Sequence, residues 1–265
     1  MPYFETSDGC RIFYDCRPSV PSKPAVVFLN GLTQTAVNWK TISDCLGDDF
    51  GVIAYDARAQ GRSDTGSLPL SLELHCSDLR ELFRYLKIPR AHLVGVSHGA
   101  VVALEFASRF PDNCDRLVLC SVSASPAGRL KLFIKSWQEI LQRQDLGAMA
   151  RAMLPVVFGE EFLRKNEAIL EKVVKAVVVR NRKDAILAQL QAGVHYPPLS
   201  RTAPHVRKPA LVLSGSDDPL VTESGARELA ELCNGRFRPV PGAGHSIPAE
   251  TPELFLTILK EFLRY

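Results

Sequence analysis

The sequence predicts an α/β protein: a mostly parallel, doubly wound sheet of about eight strands carrying an inserted helical cap. Three observations predict it. Short apolar runs alternate with helical stretches from residue 25 to about 124. That rhythm then stops for some eighty residues in which only helical patterns occur. It resumes at Ala210 and continues to the end of the chain. The expected division is a core of residues 1–124 and 209–265, with 125–208 as the cap.

Residues 2–16 read as a β-hairpin. Tyr3–Thr6 and Ile12–Tyr14 flank a Ser7-Asp8-Gly9 turn, and Pro18, Pro21 and Pro24 mark the loop after it. Ala25–Leu29 and Val52–Tyr55 are continuous apolar runs, the pattern of strands covered on both faces. A short helix is expected around Trp39–Leu46. Ser71 caps a second that reaches about Lys87, with Leu72, Leu79, Leu82, Phe83 and Leu86 on its apolar stripe. His92–Val96 and Leu117–Leu119 are the next strands. Helices are expected over roughly 127–144, 146–154, 160–180 and 182–193. The β-branched Val173, Val174, Val177 and Val178 keep helical spacing. The last elements are a strand at Ala210–Leu213, a helix near 222–233, a strand at Phe237–Val240 and a helix over 252–264.

In such a sheet the working site lies beyond the carboxyl ends of the strands. Five residues there carry a recognisable chemistry. Gly95-Val96-Ser97-His98-Gly99 is a G-x-S-x-G between a strand and a helix, the pattern of a nucleophile elbow. The sharp turn strains the serine backbone and crowds the positions two before and two after it, hence the glycines. It lifts the Ser97 hydroxyl clear of the sheet and aims the His98 N–H into the same space.

A serine hydroxyl needs an imidazole to take its proton, and the imidazole needs a carboxylate to hold its tautomer. Two later loops past strands supply these groups: Ser214-Gly215-Ser216-Asp217-Asp218-Pro219 and Pro241-Gly242-Ala243-Gly244-His245. Either aspartate fits the chain order serine, acid, histidine.

With these residues in view, the chain resembles the serine hydrolases of the α/β-hydrolase fold, in the subgroup with a helical cap between the sixth and seventh strands. The resemblance covers essentially the whole chain. Asn30-Gly31, Gly61-Arg62-Ser63-Asp64, the elbow, Gly215–Asp218 and Gly244-His245 carry it. It implies Ser97 as nucleophile, His245 as base and, from the family's G-x-x-D pattern, Asp218 rather than Asp217 as the acid. It implies Leu32 beside His98 as the second oxyanion N–H. The family usually has His-Gly where this chain has Asn30-Gly31, so Asn30 must brace that loop differently. Ser97 stands where dehalogenases and epoxide hydrolases of this fold need a carboxylate. The expected activity is cleavage of carboxylic esters through an acyl-enzyme. The Gly-Arg-Ser-Asp loop and the cap are similar to those of 3-oxoadipate enol-lactonases and of the carrier-protein methyl ester esterase of biotin synthesis. Thioesters, enol-lactones and acyl chains on a carrier protein are alternative substrates, and a ligand receptor with a retained triad is the non-hydrolase alternative.

Composition narrows the partners. A net charge of +3 without a long basic run argues against nucleic acid. No run approaches the length of a membrane span, and no charged-then-apolar leader opens the chain, so a cytoplasmic protein is expected. Seven scattered cysteines, never spaced C-x-x-C, suggest reduced thiols. No two histidines have a helical ligand spacing with a carboxylate, so neither a metal nor another cofactor is expected.

The cap should set the substrate. Trp137, Met153 and Phe158, with Leu32 from the core, are the candidate contacts; Phe133, Met149 and Phe162 are further apolar candidates. His195 and His205, where the cap rejoins the core, are candidates for a gate. Residues 125–208 hold 15 Lys and Arg against 7 Asp and Glu, a net of +8. Such a rim would attract an anionic substrate or an acidic acyl carrier protein.

Overall fold

The computed structural model describes residues 2–16 and 23–264; the loop expected at Pro18 and Pro21 lies outside them. Eight strands form one sheet in the order β1-β2-β4-β3-β5-β6-β7-β8. They are β1 Tyr3–Glu5, β2 Arg11–Cys16, β3 Ala25–Leu29, β4 Gly51–Tyr55, β5 Ala91–Val96, β6 Cys114–Cys120, β7 Ala210–Gly215 and β8 Arg236–Val240. The β1–β2 and β2–β4 pairings are antiparallel, and every other pairing is parallel. Strands β3, β5, β6, β7 and β8 are consecutive in the sheet and point the same way, so the loops after them open on one edge.

The long apolar runs are explained by helices on both faces. In β3 the side chains alternate: Val27 and Leu29 enter one core, Val26 and Phe28 the other. Helices α1 (Lys40–Leu46) and α12 (Pro252–Leu263) cover the second face through Ile42, Leu46, Phe255, Ile258 and Leu259. Helices α2 (Leu72–Tyr85), α3 (His98–Arg109) and α10 (Glu223–Leu232) cover the first. Ser71 caps α2 by accepting the Leu74 N–H at 3.1 Å, and Thr222 caps α10 by accepting that of Gly225 at 3.2 Å.

Between β6 and β7 the described chain is helical. It forms α4 (Gly128–Arg143), α5 (Leu146–Val157), α6 (Glu160–Asn166), α7 (Leu170–Arg180), α8 (Lys183–Gly193) and α9 (Leu199–Thr202). The expected single helix over 160–180 is two: a tight turn at Glu167–Ile169 separates α6 from α7. Helix α5 runs past its expected end to Val157 although Pro155 lies inside it. The short α11 (Ile247–Glu250), which follows His245, was not expected. Trp137, Leu141, Met149, Met153, Ile186 and Leu190 join the hydrophobic core on the α2–α3 face, so these helices close over the sheet edge rather than standing apart. No helix among the described residues is long and apolar enough to cross a membrane.

Candidate active site

Five loops meet at the carboxyl edge of the parallel strands. Strand β5 ends at Val96, and Ser97 follows at φ 52°, ψ −118°, before α3 begins at His98. A non-glycine residue in that conformation is strained, and the glycines around it allow the turn. A side chain at Gly95 would run into the Gly99 carbonyl and Ala100, and one at Gly99 would strike the end of β3 at Leu29. Helix α3 can therefore start directly against the sheet, and Ser97 projects beyond both.

The loop after β3 is built on Asn30. Its amide donates to the Tyr55 carbonyl at 2.8 Å, and its oxygen accepts from the Trp39 indole at 2.8 Å. This is how the chain braces the turn without the family's histidine. The Gly31 N–H donates to Gln34 Oε1 at 2.8 Å, which leaves Leu32 at the cavity wall. Among the described residues, no protein acceptor takes the backbone N–H of Leu32 or of His98.

The loops after β7 and β8 bring the acid and the imidazole together. Asp218 Oδ2 lies 2.8 Å from His245 Nδ1. Asp218 Oδ1 accepts the N–H groups of Leu220 at 2.8 Å and Val221 at 3.2 Å, so the carboxylate is held from behind and offers one oxygen to the ring. Both side chains are buried. Asp217 is exposed and, among the described residues, accepts only from the Ser216 hydroxyl next to it, at 2.9 Å. The loops approach closely because Gly215 has no side chain; a Cβ there would collide with the Ala243 and Gly244 carbonyls.

Ser97, His98, Leu32 and His245 all line one cavity of about 300 Å³ between the sheet edge and the helices above it. Among the described residues no hydrogen bond joins the Ser97 hydroxyl to the His245 ring, although both residues line the cavity. Trp137, Met153 and Phe158 line the same space. Phe133, Met149 and Phe162 do not. Phe133 stacks on Trp137 with ring centres 5.9 Å apart, Phe162 stacks on Phe158 at 4.5 Å, and Met149 is fully buried. Helical spacing marks a buried face but does not separate a cavity wall from the layer behind it. His195 and His205 are exposed and stand away from the cavity. None of the 15 Lys and Arg of residues 125–208 lines it.

Two residues outside the expected set hold the His245 loop. The Ser121 hydroxyl donates to the His245 carbonyl at 2.7 Å. Glu250, on α11, accepts three N–H groups: Gly244 at 2.9 Å, Ser246 at 2.9 Å and, from the turn between α5 and α6, Gly159 at 2.8 Å. Burial raises the Glu250 carboxyl above its usual range, while the three donors pull the other way. The His98 imidazole lies on the inner side of the site. Its ring centre is 5.1 Å from that of His75 and 6.0 Å from that of Tyr196. Burial lowers His98 to about 4 and drives His75 well below its usual value, so both rings are neutral near pH 7.

A mostly parallel sheet with a strained serine elbow at its open edge and an imidazole–carboxylate pair on the same cavity has the groups that hydroxyl activation against a carbonyl carbon requires. Residues 24–252 match the α/β hydrolase fold family, and the chain belongs to it. It is 28% identical over 244 residues to "Putative carbamate hydrolase RutD" of Caulobacter sp. strain K31, covering 91% of each chain. It is 25% identical over 239 residues to 3-oxoadipate enol-lactonase 2 of Acinetobacter baylyi, covering 88% of this chain and 86% of the relative. Among solved structures, the enol-lactonase from Burkholderia xenovorans LB400 superimposes with a TM-score of 0.90 at 25% identity, covering 100% of both chains. Hydrolysis is the activity this membership supports.

Proposed function

We propose that the chain is a serine hydrolase that cleaves carboxylic esters through an acyl-enzyme. Ser97 Oγ attacks the ester carbonyl carbon and its proton passes to His245 Nε2. Asp218 stays ionised and holds the Nδ1–H, which fixes the tautomer and stabilises the imidazolium. The N–H groups of Leu32 and His98 receive the oxyanion. The intermediate then expels the alcohol, whose oxygen takes the proton from His245. Water repeats the sequence on the acyl-enzyme: its oxygen bonds to the carbonyl carbon, its proton goes to His245, and Ser97 leaves with that proton as the carboxylic acid departs.

The observation that carries this reading is the 2.8 Å Asp218–His245 pair on the same cavity as a serine with φ 52°. The two unspent amides support the oxyanion assignment. The lack of a Ser97–His245 bond does not count against this reading, because such contacts tighten in the substrate complex. Relatives named as an enol-lactonase and a carbamate hydrolase support attack on a carbonyl group.

The test is a p-nitrophenyl ester assay with a fluorophosphonate label. The wild type is expected to release p-nitrophenol in a burst and to take up one label per chain. Ser97→Ala should lose the label and at least about 10⁴-fold in kcat, with its unfolding curve unchanged. Labelling elsewhere, or turnover that survives in Ser97→Ala, would refute the assignment.

A further inference from the structure

The lining of the cavity is chemically one-sided. At one end stand Ser97, His245 and the two amides. Elsewhere the wall is mainly Leu130, Ile134, Trp137, Met153, Leu154 and Val157. Among the described residues, no Asp, Glu, Lys or Arg lines it.

Several polar atoms in the wall are engaged by the protein itself. Gln34 Oε1 accepts the Gly31 N–H at 2.8 Å, and Asn38 Oδ1 accepts that of Thr35 at 2.9 Å. Gln189 Nε2 donates to the Ala59 carbonyl at 2.7 Å. The Ser123 hydroxyl donates to the Ser125 carbonyl at 2.8 Å, and that of Ser121 is engaged with His245. Among the described residues, the Tyr196 hydroxyl and His98 Nε2 are buried in the wall without a partner. The His98 ring is neutral, so it supplies no positive charge.

An ionised group entering such a space would leave water and gain no charged partner from the wall, which makes its transfer costly. A hydrocarbon chain loses nothing polar and gains burial. The surplus of Lys and Arg on residues 125–208 lies outside the lining and cannot compensate a charge held inside. On the ester-hydrolase reading above, we propose that the cavity takes an uncharged, largely hydrocarbon acyl chain and rejects a chain that ends in a carboxylate. The basic exterior and the neutral interior then act on different things, and the interior decides the acyl group.

Three p-nitrophenyl esters of equal acyl backbone separate the possibilities: the hexanoate, the monoester of adipic acid and its methyl-capped diester. All are assayed on the wild type near pH 7.5 at low ionic strength. The hexanoate is expected to exceed the free adipate monoester by about 100-fold in kcat/KM, and methyl capping is expected to recover most of that loss. Equal turnover of hexanoate and adipate monoester would overturn the proposal and leave the ester-hydrolase reading standing. So would a methyl-capped ester as poor as the free acid, because length rather than charge would then be the cause. Failure of all three, with Ser97 unlabelled by fluorophosphonate, would instead remove the hydrolase reading on which this one rests.

Discussion

Asp217 and Asp218 are neighbours of identical chemistry, and their surroundings separate them. One oxygen of Asp218 is fastened to two backbone N–H groups and the other faces the imidazole, whereas Asp217 points to solvent. Asp218→Asn would present either a wrongly placed donor or the wrong histidine tautomer. It is expected to lower kcat by about 10³–10⁴-fold, and Asp217→Asn by less than about threefold. Steady-state kinetics on p-nitrophenyl hexanoate decides this, and the opposite ranking would move the acid to Asp217. The family's G-x-x-D spacing made the choice of Asp218 legible in the sequence. Ser121 and Glu250 were not legible. Each acts by bonding a backbone group more than a hundred residues away or across a loop, and such a contact leaves no periodicity and no spacing in the chain.

At the scale of elements, the strand ends and the elbow could be read because their cause is local: continuous apolar runs, small residues and a cap. The helices above the sheet were read less well. Glu167, Ala168 and Ile169 are all compatible with helix, so the break between α6 and α7 has no breaker residue to announce it. The contacts of α11 were equally hidden, and they carry a prediction. Glu250→Gln keeps the shape but sets an amide NH₂ against N–H donors. It is expected to cost about 1–3 kcal/mol in urea unfolding. It should also lower kcat about tenfold with little change in KM, because it loosens the segment that carries His245 rather than the cavity. A KM effect without a kcat effect would place Glu250 in substrate binding instead. Glu250→Asp, which keeps the charge, should recover part of the loss.

Over the whole molecule, three buried histidines contribute to the response to acid. Burial lowers His92 and His98 to about 4 and pushes His75 well below 6.5, and each has a ring nitrogen with no partner among the described residues. Below pH 6.5 the unfolded chain takes up protons on these rings that the folded chain refuses. Folded-state stability therefore falls with pH through that window, by up to about 1.4 kcal/mol per pH unit per ring, and is unaffected above it. His75→Leu should remove one such contribution. Its loss of stability between about pH 7 and pH 5 is expected to be about 2 kcal/mol smaller than that of the wild type by urea unfolding. Parallel losses in the two proteins would show that His75 is not excluded from protonation.

The carboxylate of Glu250 grips the amides on either side of His245 and, through the same Oε2 that holds Gly244, the N–H of Gly159, the second residue beyond α5. Val157, at the end of α5, accepts the Ser246 N–H as well, at 3.1 Å. Roof and His245 segment are thus riveted together at one corner. A displacement of the α5 end is passed directly to the backbone that carries the imidazole, and the two cannot shift apart without breaking the Gly159–Glu250 or the Ser246–Val157 bond.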